Sequence, residues 1–332
     1  MRAAVKRLAA AAGLLAVLCA PVSSAAPARS WASSQIRLVT SQGVFESTPE
    51  TFRPDDPLTA GDLSRAVAAV TGAEEQAPAS PDATVTLAGL DAAFVRGLGL
   101  ADAGYRFRLG AVRAGLKPPA RFGPEVVARL LGLRLNHPAA QDSLELQPQE
   151  PATRAEAAYS AAQVLHFEGG ETDAVDAAAQ AFELPTLTLW QRRILQTAVS
   201  FVGYPYVWAG EDERTERGFD CSGFIWRVYK LAKYAGGEAL PATLKGRTTY
   251  QLSGEVPKAE RIGIDELEPA DVLFFGNGPR SRPKDVDHAG IYLGNGWFVH
   301  SSGYGVALAP LEGWYRDGFA WARRPLAEAG LG

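Results

Sequence analysis

The chain has 332 residues, with 33 Lys plus Arg against 37 Asp plus Glu and a formal net charge of −4. Hydrophobic residues make up 47% and charged residues 21%, a globular balance that excludes a disordered chain. The acidic balance, with no basic stripe anywhere, argues against a nucleic acid as partner.

In chain order, residues 1–26 come first and read as a secretory signal peptide. Arg2, Lys6 and Arg7 precede an apolar run from Leu8 to Ala20, and small residues follow at Ala25 and Ala26. The run is too short to span a bilayer, and no later segment is apolar enough to do so. Cys19 lies inside it behind Leu18, which does not suit a lipidation site. Removing the signal takes away three basic residues and one of two cysteines, so the charge becomes −4 − 3 = −7. The expected destination is the cell envelope, periplasmic or wall-associated. One cysteine then remains, Cys221, and it is either an inert core thiol or a reactive one.

Residues 27–170 are alanine-rich with helical periodicity. "LTAGDLSRAVAAVTG" places apolar residues at 63, 66, 67 and 70, and "ATRAEAAYSAAQVLHF" repeats the style. Thr59 and Thr153 stand at N-cap positions, with Asp62 and Glu156 three residues later at capping-box spacing. A degenerate third unit is expected between them, around "LDAAFVRGLGL" and "FGPEVVARLLGL". The tetrapeptide Thr153–Glu156, "TRAE", resembles the start of S-layer homology repeats. That resemblance implies a helical wall-binding region whose partner is a secondary cell-wall polysaccharide. The first unit reads "TAGD", with Ala60 in place of the arginine. The rival reading is a capping box that only starts a helix.

Residues 171–186 read as a connecting helix that ends before Pro185. After them, residues 187–328 change texture. Helices at "LWQRRILQTAVSFVG" and "CSGFIWRVYKLAKYAGG" are followed by "DVLFFG", "AGIYLG", "WFVHSS", "GVALAPL" and "GFAWARRP". Helices first, then an antiparallel meander, make an α+β domain.

Asp220 can cap the second of those helices, which sets Cys221 in its first turn. Unpaired N–H groups and the helix dipole stabilise a thiolate there and can hold an oxyanion. Asp220 is itself an anion and opposes the thiolate, so a second activator is needed. Of four histidines, His137 lies in a loop and His166 ends a helix. His288 and His300 flank a glycine hairpin, "HAGIYLGNGWFVH". A three-residue loop, Gly294-Asn295-Gly296, pairs 293 with 297 and 290 with 300, and sets both histidines on one sheet face. A two-residue Asn-Gly loop sets them on opposite faces. The odd loop is the expectation. The result is a Cys-His-His site in which His288 takes the thiol proton and His300 orients it.

This half resembles the NlpC-type bacterial cell-wall cysteine peptidases, a compact papain-like family. The matching pieces are "YPYVWAG", "GFDCSGFIWRVYK", "RTTYQLS", "LEPADVLFFG", "HAGIYLGNGWFVH" and "FAWARR", from about Leu187 to Arg324. The resemblance implies Cys221 as nucleophile, His288 as base and His300 as third member, with no cofactor and no metal. It implies substrate contacts from Tyr206, Asp220 and Ser222, and a peptidoglycan stem peptide as substrate, cut between D-glutamate and the diamino acid. Ala209 and Ala270 stand where the family favours glycine. Arg247 and Gln251 match a family motif, either as structural groups or as substrate contacts. Asp271 reads as structural, "GEDERTERG" and "GNGPRSRPKDVD" as solvated loops or cleft rims, and Trp208, Trp226 and Trp297 as core. Three rival readings stay open: an amidase or acyltransferase on the same site, a zinc site of one cysteine and two histidines, and an idle wall-binding protein.

Overall fold

The computed structural model describes residues 30–135 and 146–332. The signal-peptide segment with Cys19, and His137, lie outside these. Among the described residues no helix is long and apolar enough to cross a membrane.

Eight helices build the first two thirds: α1 (Ser33–Ser41), α2 (Ala60–Thr71), α3 (Leu87–Gly97), α4 (Ala101–Arg113), α5 (Phe122–Leu130), α6 (Arg154–Leu165), α7 (Glu171–Ala181) and α8 (Leu189–Ser200). Three of them start alike. Thr59, Thr86 and Thr153 each accept the N–H of the third helical residue, at Asp62, Gly89 and Glu156. Their lead-in segments pair in a closed triangle of bridges, Pro57 with Thr153, Thr59 with Thr84 and Thr86 with Pro151. The degenerate middle unit is therefore real and begins at Thr86.

The capping boxes are only half formed. The threonine side of each is made, but neither carboxylate reaches back to its N-cap. Asp62 turns to Arg65 and Arg154, and Glu156 points inward to Arg134 at 2.5 Å. A carboxylate that can pair with a guanidinium gains more than one that accepts a neutral N–H. Arg154, the arginine of "TRAE", is thereby engaged. It also donates to the Phe52 carbonyl at 2.8 Å and lies over the rings of Phe45 and Phe52.

The remaining chain forms β1 (Glu211–Asp212), β2 (Gly218–Phe219), α9 (Cys221–Trp226), α10 (Leu240–Thr243), α11 (Thr249–Gly254), β3 (Val272–Phe275), β4 (His288–Gly294), β5 (Trp297–Ser302), β6 (Gly305–Pro310), α12 (Gly313–Gly318), β7 (Phe319–Arg323) and α13 (Pro325–Glu328). The five-stranded antiparallel sheet runs β6-β5-β4-β3-β7. The meander thus covers four strands, and β7 returns to the far edge beside β3. The helix after Cys221 is shorter than its pattern suggests. It passes into a π turn over Arg227–Leu231, where Glu213 grips Arg227 with two bonds of 2.7 and 2.9 Å and buried Tyr229 donates to the Ala270 carbonyl.

One apolar core joins the helical part to the sheet, from Ala32 through Phe94, Phe107 and Ile194 to Val299 and Leu326. At the junction the rings of Phe107, Phe182 and Trp297 stand 5.0–5.6 Å apart, edge-on or tilted, in favoured geometry. A buried ionic cluster sits beside it: Asp91, Glu125, Arg129, Arg134 and Glu156. Arg129 pairs with Glu125 and reaches the Gly203 carbonyl at 2.9 Å, which ties the helical part to the sheet domain. Burial, reinforced by Glu125, holds the Asp91 carboxyl well above its ordinary range. The second sheet face has its own small core of Leu273, Phe275, Phe298, Leu311 and Phe319, with Tyr315 packed on it.

Candidate active site

Cys221 opens α9, and Asp220 is its N-cap. The Asp220 carboxylate accepts the Gly223 N–H at 2.5 Å. This approach needs glycine: a Cβ at Gly223 would lie 1.9 Å from the Gly210 carbonyl oxygen. The thiol is buried, donates weakly to the Asp287 carbonyl at 4.0 Å, and receives the N–H groups of Ser222, Ala289 and Cys221. α9 therefore brings it against the backbone where β4 begins.

The hairpin differs from the expected loop, and the outcome is the same. Gly294 pairs with Trp297 across a two-residue Asn295-Gly296 turn, with both residues at positive φ. A bulge between Tyr292 and Gly294 adds the odd residue, so Tyr292 faces Phe298 and Ile291 faces Val299. The sequence placed the extra residue in the loop; it sits in the strand. Continued inward, this register sets Gly290 beside His300, where an added Cβ would lie 3.2 Å from that of His300. His288 lies opposite Phe275, and His300 packs on Phe298. Both rings share that face and meet, His288 Nε2 to His300 Nδ1 at 2.7 Å. This leaves Nδ1 of His288 as the nitrogen that can serve the thiol. Tyr315 covers the pair, 5.2 Å from the His300 ring and 6.2 Å from that of His288.

The helix start does not make a resting thiolate. Burial, then the Asp220 charge, pushes the Cys221 thiol up to about 12 against the pull of the three N–H groups. Burial brings part-buried His288 down to about 4 and holds fully buried His300 well below its usual range, where the neighbouring His288 ring adds to the effect. Thiol and imidazole are both neutral at rest, and among the described residues no hydrogen bond joins them. The proton then moves only as the sulfur attacks. A consequence is a wide pH plateau. The acid limb of kcat/KM should fall near pH 4, where His288 protonates, rather than near the ordinary imidazole value of about 6.5. A titration limb near 6.5 would contradict it.

Asp220 and Ser222 form a network that the sequence left half read. Arg247 Nη1 donates to Asp220 Oδ1 at 3.0 Å and to Ser222 Oγ at 2.8 Å, and Arg247 Nε donates to Glu211 at 2.7 Å. Arg247 Nη2 holds the Gly210 carbonyl at 3.0 Å, and the Ala209 N–H reaches Asp220 Oδ2 at 3.0 Å. Arg247 thus makes structural bonds next to the nucleophile, while Gln251 caps α11. Burial, then the charges of Cys221 and Asp220, pushes the Tyr206 phenol up to about 12, so it remains a donor beside the sulfur. Asp271 is structural: buried, it pairs with Arg324 through two bonds of 2.9 Å and accepts the Glu268 N–H. His166 is exposed at the end of α6.

Three further expectations change. Trp297 is buried and Trp226 packs on the core, but Trp208 is 83% exposed, because the turn that carries it is pinned outward by the Ala209 bonds. The "GEDERTERG" loop is not simply solvated, for Gln147 and Glu150 of the helical part hold its Glu213 and Arg217 carbonyls and the Arg217 side chain. Ala209 and Ala270 keep the glycine-type backbone, with φ of 62° and 73°. That strain costs about 1–2 kcal/mol in an alanine. At exposed Ala209 the glycine variant should therefore gain about 0.5–1 kcal/mol after its entropy cost. At Ala270, fully buried, the lost methyl contact of about 0.8 kcal/mol cancels the gain. Thermal melts of the two variants check the contrast.

A thiol at a helix start, two hydrogen-bonded histidines on an antiparallel sheet and a phenol beside the sulfur define a site of the cysteine-hydrolase kind. Residues 203–324 match the NlpC/P60 family, and this region is an NlpC/P60 domain. A "probable endopeptidase" of Mycobacterium tuberculosis is 37% identical over 115 residues, covering 35% of this chain and 24% of that protein. The gamma-D-glutamyl-L-lysine dipeptidyl-peptidase of Bacillus subtilis is 32% identical over 120 residues, covering 35% of this chain and 33% of that one. A crystal structure of an NlpC/P60 family protein from Bacillus cereus is 28% identical, covering 43% of this chain and 42% of that one, with a TM-score of 0.34. The chain thus spans about a quarter to a third of the length of these curated relatives.

Proposed function

We propose that the protein is an exported peptidoglycan hydrolase, a cysteine endopeptidase that cuts stem peptides at the bond between the D-glutamate side-chain carboxyl and the diamino acid. The observation that carries this is the His288 Nε2 to His300 Nδ1 bond of 2.7 Å beside a buried helix-start thiol. His300 fixes the ring of His288, and His288 Nδ1 takes the proton of Cys221 as the sulfur attacks the carbonyl. The N–H groups at the start of α9 steady the oxyanion. The imidazolium protonates the leaving amine, an acyl-enzyme remains, and water releases it with His288 as base. Tyr206, Asp220 and Ser222 are the proposed substrate contacts. The choice of bond follows the naming of the Bacillus subtilis relative.

Amidase chemistry on the same site is the runner-up, and a zinc site is weaker. Among the described residues no group of three or more His, Cys, Asp or Glu side chains is arranged to hold a metal ion. Treatment with iodoacetamide should abolish muropeptide hydrolysis, while EDTA should leave it unchanged. The reverse pattern would sink the peptidase reading. The amino-terminal region would hold the enzyme at the wall. With Arg154 taken up by Asp62 and two phenylalanines, a polymer contact has to be sought elsewhere on the surface.

A further inference from the structure

A second concave surface, lined by none of the site residues, lies where the end of α4, the extended chain after α7 and the start of α8 meet. Two cavities of about 650 and 570 Å³ open there and share Gly115 and Arg192. Arg113 and Arg192 line the larger, and Lys117, Arg192 and Arg193 the smaller. Glu183 is the one acidic residue in either lining. Four cations facing one carboxylate run against the net charge of −4 carried by the whole chain.

Their pairing sets them apart as well. Arg106, two turns back along α4, is neutralised by Asp176 at 2.9 Å. Arg193 donates to the Ala235 carbonyl at 2.9 Å and lies over the Trp190 ring. Arg113, Lys117 and Arg192 are exposed, and no carboxylate among the described residues lies within ion-pair reach of them. The floor of the groove accommodates one of them directly. Gly115 has φ of 85°, and a Cβ there would lie 2.9 Å from Arg192 Cδ. Clustered cations repel one another, and that repulsion is relieved when an anion bridges them. Guanidinium forks match phosphate and carboxylate oxygens two at a time.

We propose that this groove binds an anionic cell-wall polymer, a chain bearing phosphate or carboxylate groups, and so holds the protein on its substrate. The choice of a wall polymer as occupant rests on the hydrolase reading; the anion preference rests on the charges. The extended, two-chambered shape favours a chain over a single ion.

The test is binding of the full chain, in about 0.15 M salt, to poly(glycerol phosphate), polygalacturonate, phosphatidylglycerol vesicles and neutral dextran. One or both polyanions should bind, dextran should not, and binding should vanish near 1 M salt. Arg113→Gln with Arg192→Gln should weaken binding by about tenfold or more. Arg37→Gln with Lys258→Gln, exposed cations elsewhere, should leave it unchanged. Equal losses in both pairs, binding to vesicles alone, or no binding to either polymer overturns the proposal. Because the readout is binding, failure of the peptidase reading would show separately, as absent muropeptide turnover by the unsubstituted chain.

Discussion

Cys221→Ala is expected to lower turnover of soluble muropeptides by about ten-thousand-fold or more and to leave the melting temperature almost unchanged. The two halves of that expectation have different physical sources. The sulfur is the only atom lost, and alanine fits a buried position at the start of a helix that Asp220 continues to cap. Only weak sulfur contacts disappear, the donation to the Asp287 carbonyl at 4.0 Å and the N–H approaches of Ser222, Ala289 and Cys221. Chemistry loses everything, because no other thiol, and no other candidate nucleophile with a histidine pair beside it, exists among the described residues. Residual activity above about 1% would mean that water attacks without an acyl-enzyme, and the covalent route would be wrong.

His288→Ala is expected to cost about a thousand-fold in kcat, and His300→Gln about ten- to a hundred-fold. The difference follows from which ring nitrogen is free. His288 spends Nε2 on His300 and keeps Nδ1 for the thiol, so its loss removes the proton acceptor itself. His300 acts through His288, and glutamine can still offer a polar group near Nε2. The pH profile separates a positioning role from a structural one. His300→Gln should lower kcat and leave the acid limb of kcat/KM near pH 4, since burial holds His288 low; a limb moved towards the ordinary imidazole value would mean that the substitution had opened the site. A larger loss at His300 than at His288 would exchange the two roles.

The same shifts fix the sign of the stability change in acid. Both rings have lowered folded values, so the unfolded chain binds more protons below about pH 6.5 and stability falls from there towards pH 4. Asp91, raised by burial, acts in the opposite direction, because its folded form keeps a proton that the unfolded chain gives up. Asp271 is raised by burial as well, so the histidine part is isolated by difference: between pH 7 and pH 5 in denaturant titrations, His300→Gln should lose less stability than the unsubstituted protein.

The chemistry was legible because it is written locally. A cap, a glycine and a cysteine in four residues specify a helix-start thiol, and two histidines around a glycine turn specify a shared face once the parity is settled. That parity was right for an incomplete reason: the extra residue is a strand bulge near Leu293, and bulges leave little trace in composition. Arg247 was found by its motif, but only the fold could bring it from 27 residues away onto Asp220. The ionic cluster of Asp91, Glu125, Arg129, Arg134 and Glu156 was not legible at all. Each sits in an amphipathic helix or turn where a charge is normal, and only packing between helices reveals that all five are buried. Exposed Trp208 was misread for the converse reason, since hydrophobicity alone assigns a tryptophan to the core.

The most direct test of the account is digestion of purified wall fragments with the unsubstituted protein and with Cys221→Ala, followed by mass analysis of the products. The expected products are fragments ending in a free D-glutamate side-chain carboxyl and matching fragments with a newly freed amine on the diamino acid, all absent with Cys221→Ala. Release of lactyl-sugar without peptide cleavage, or the same products from Cys221→Ala, would contradict it.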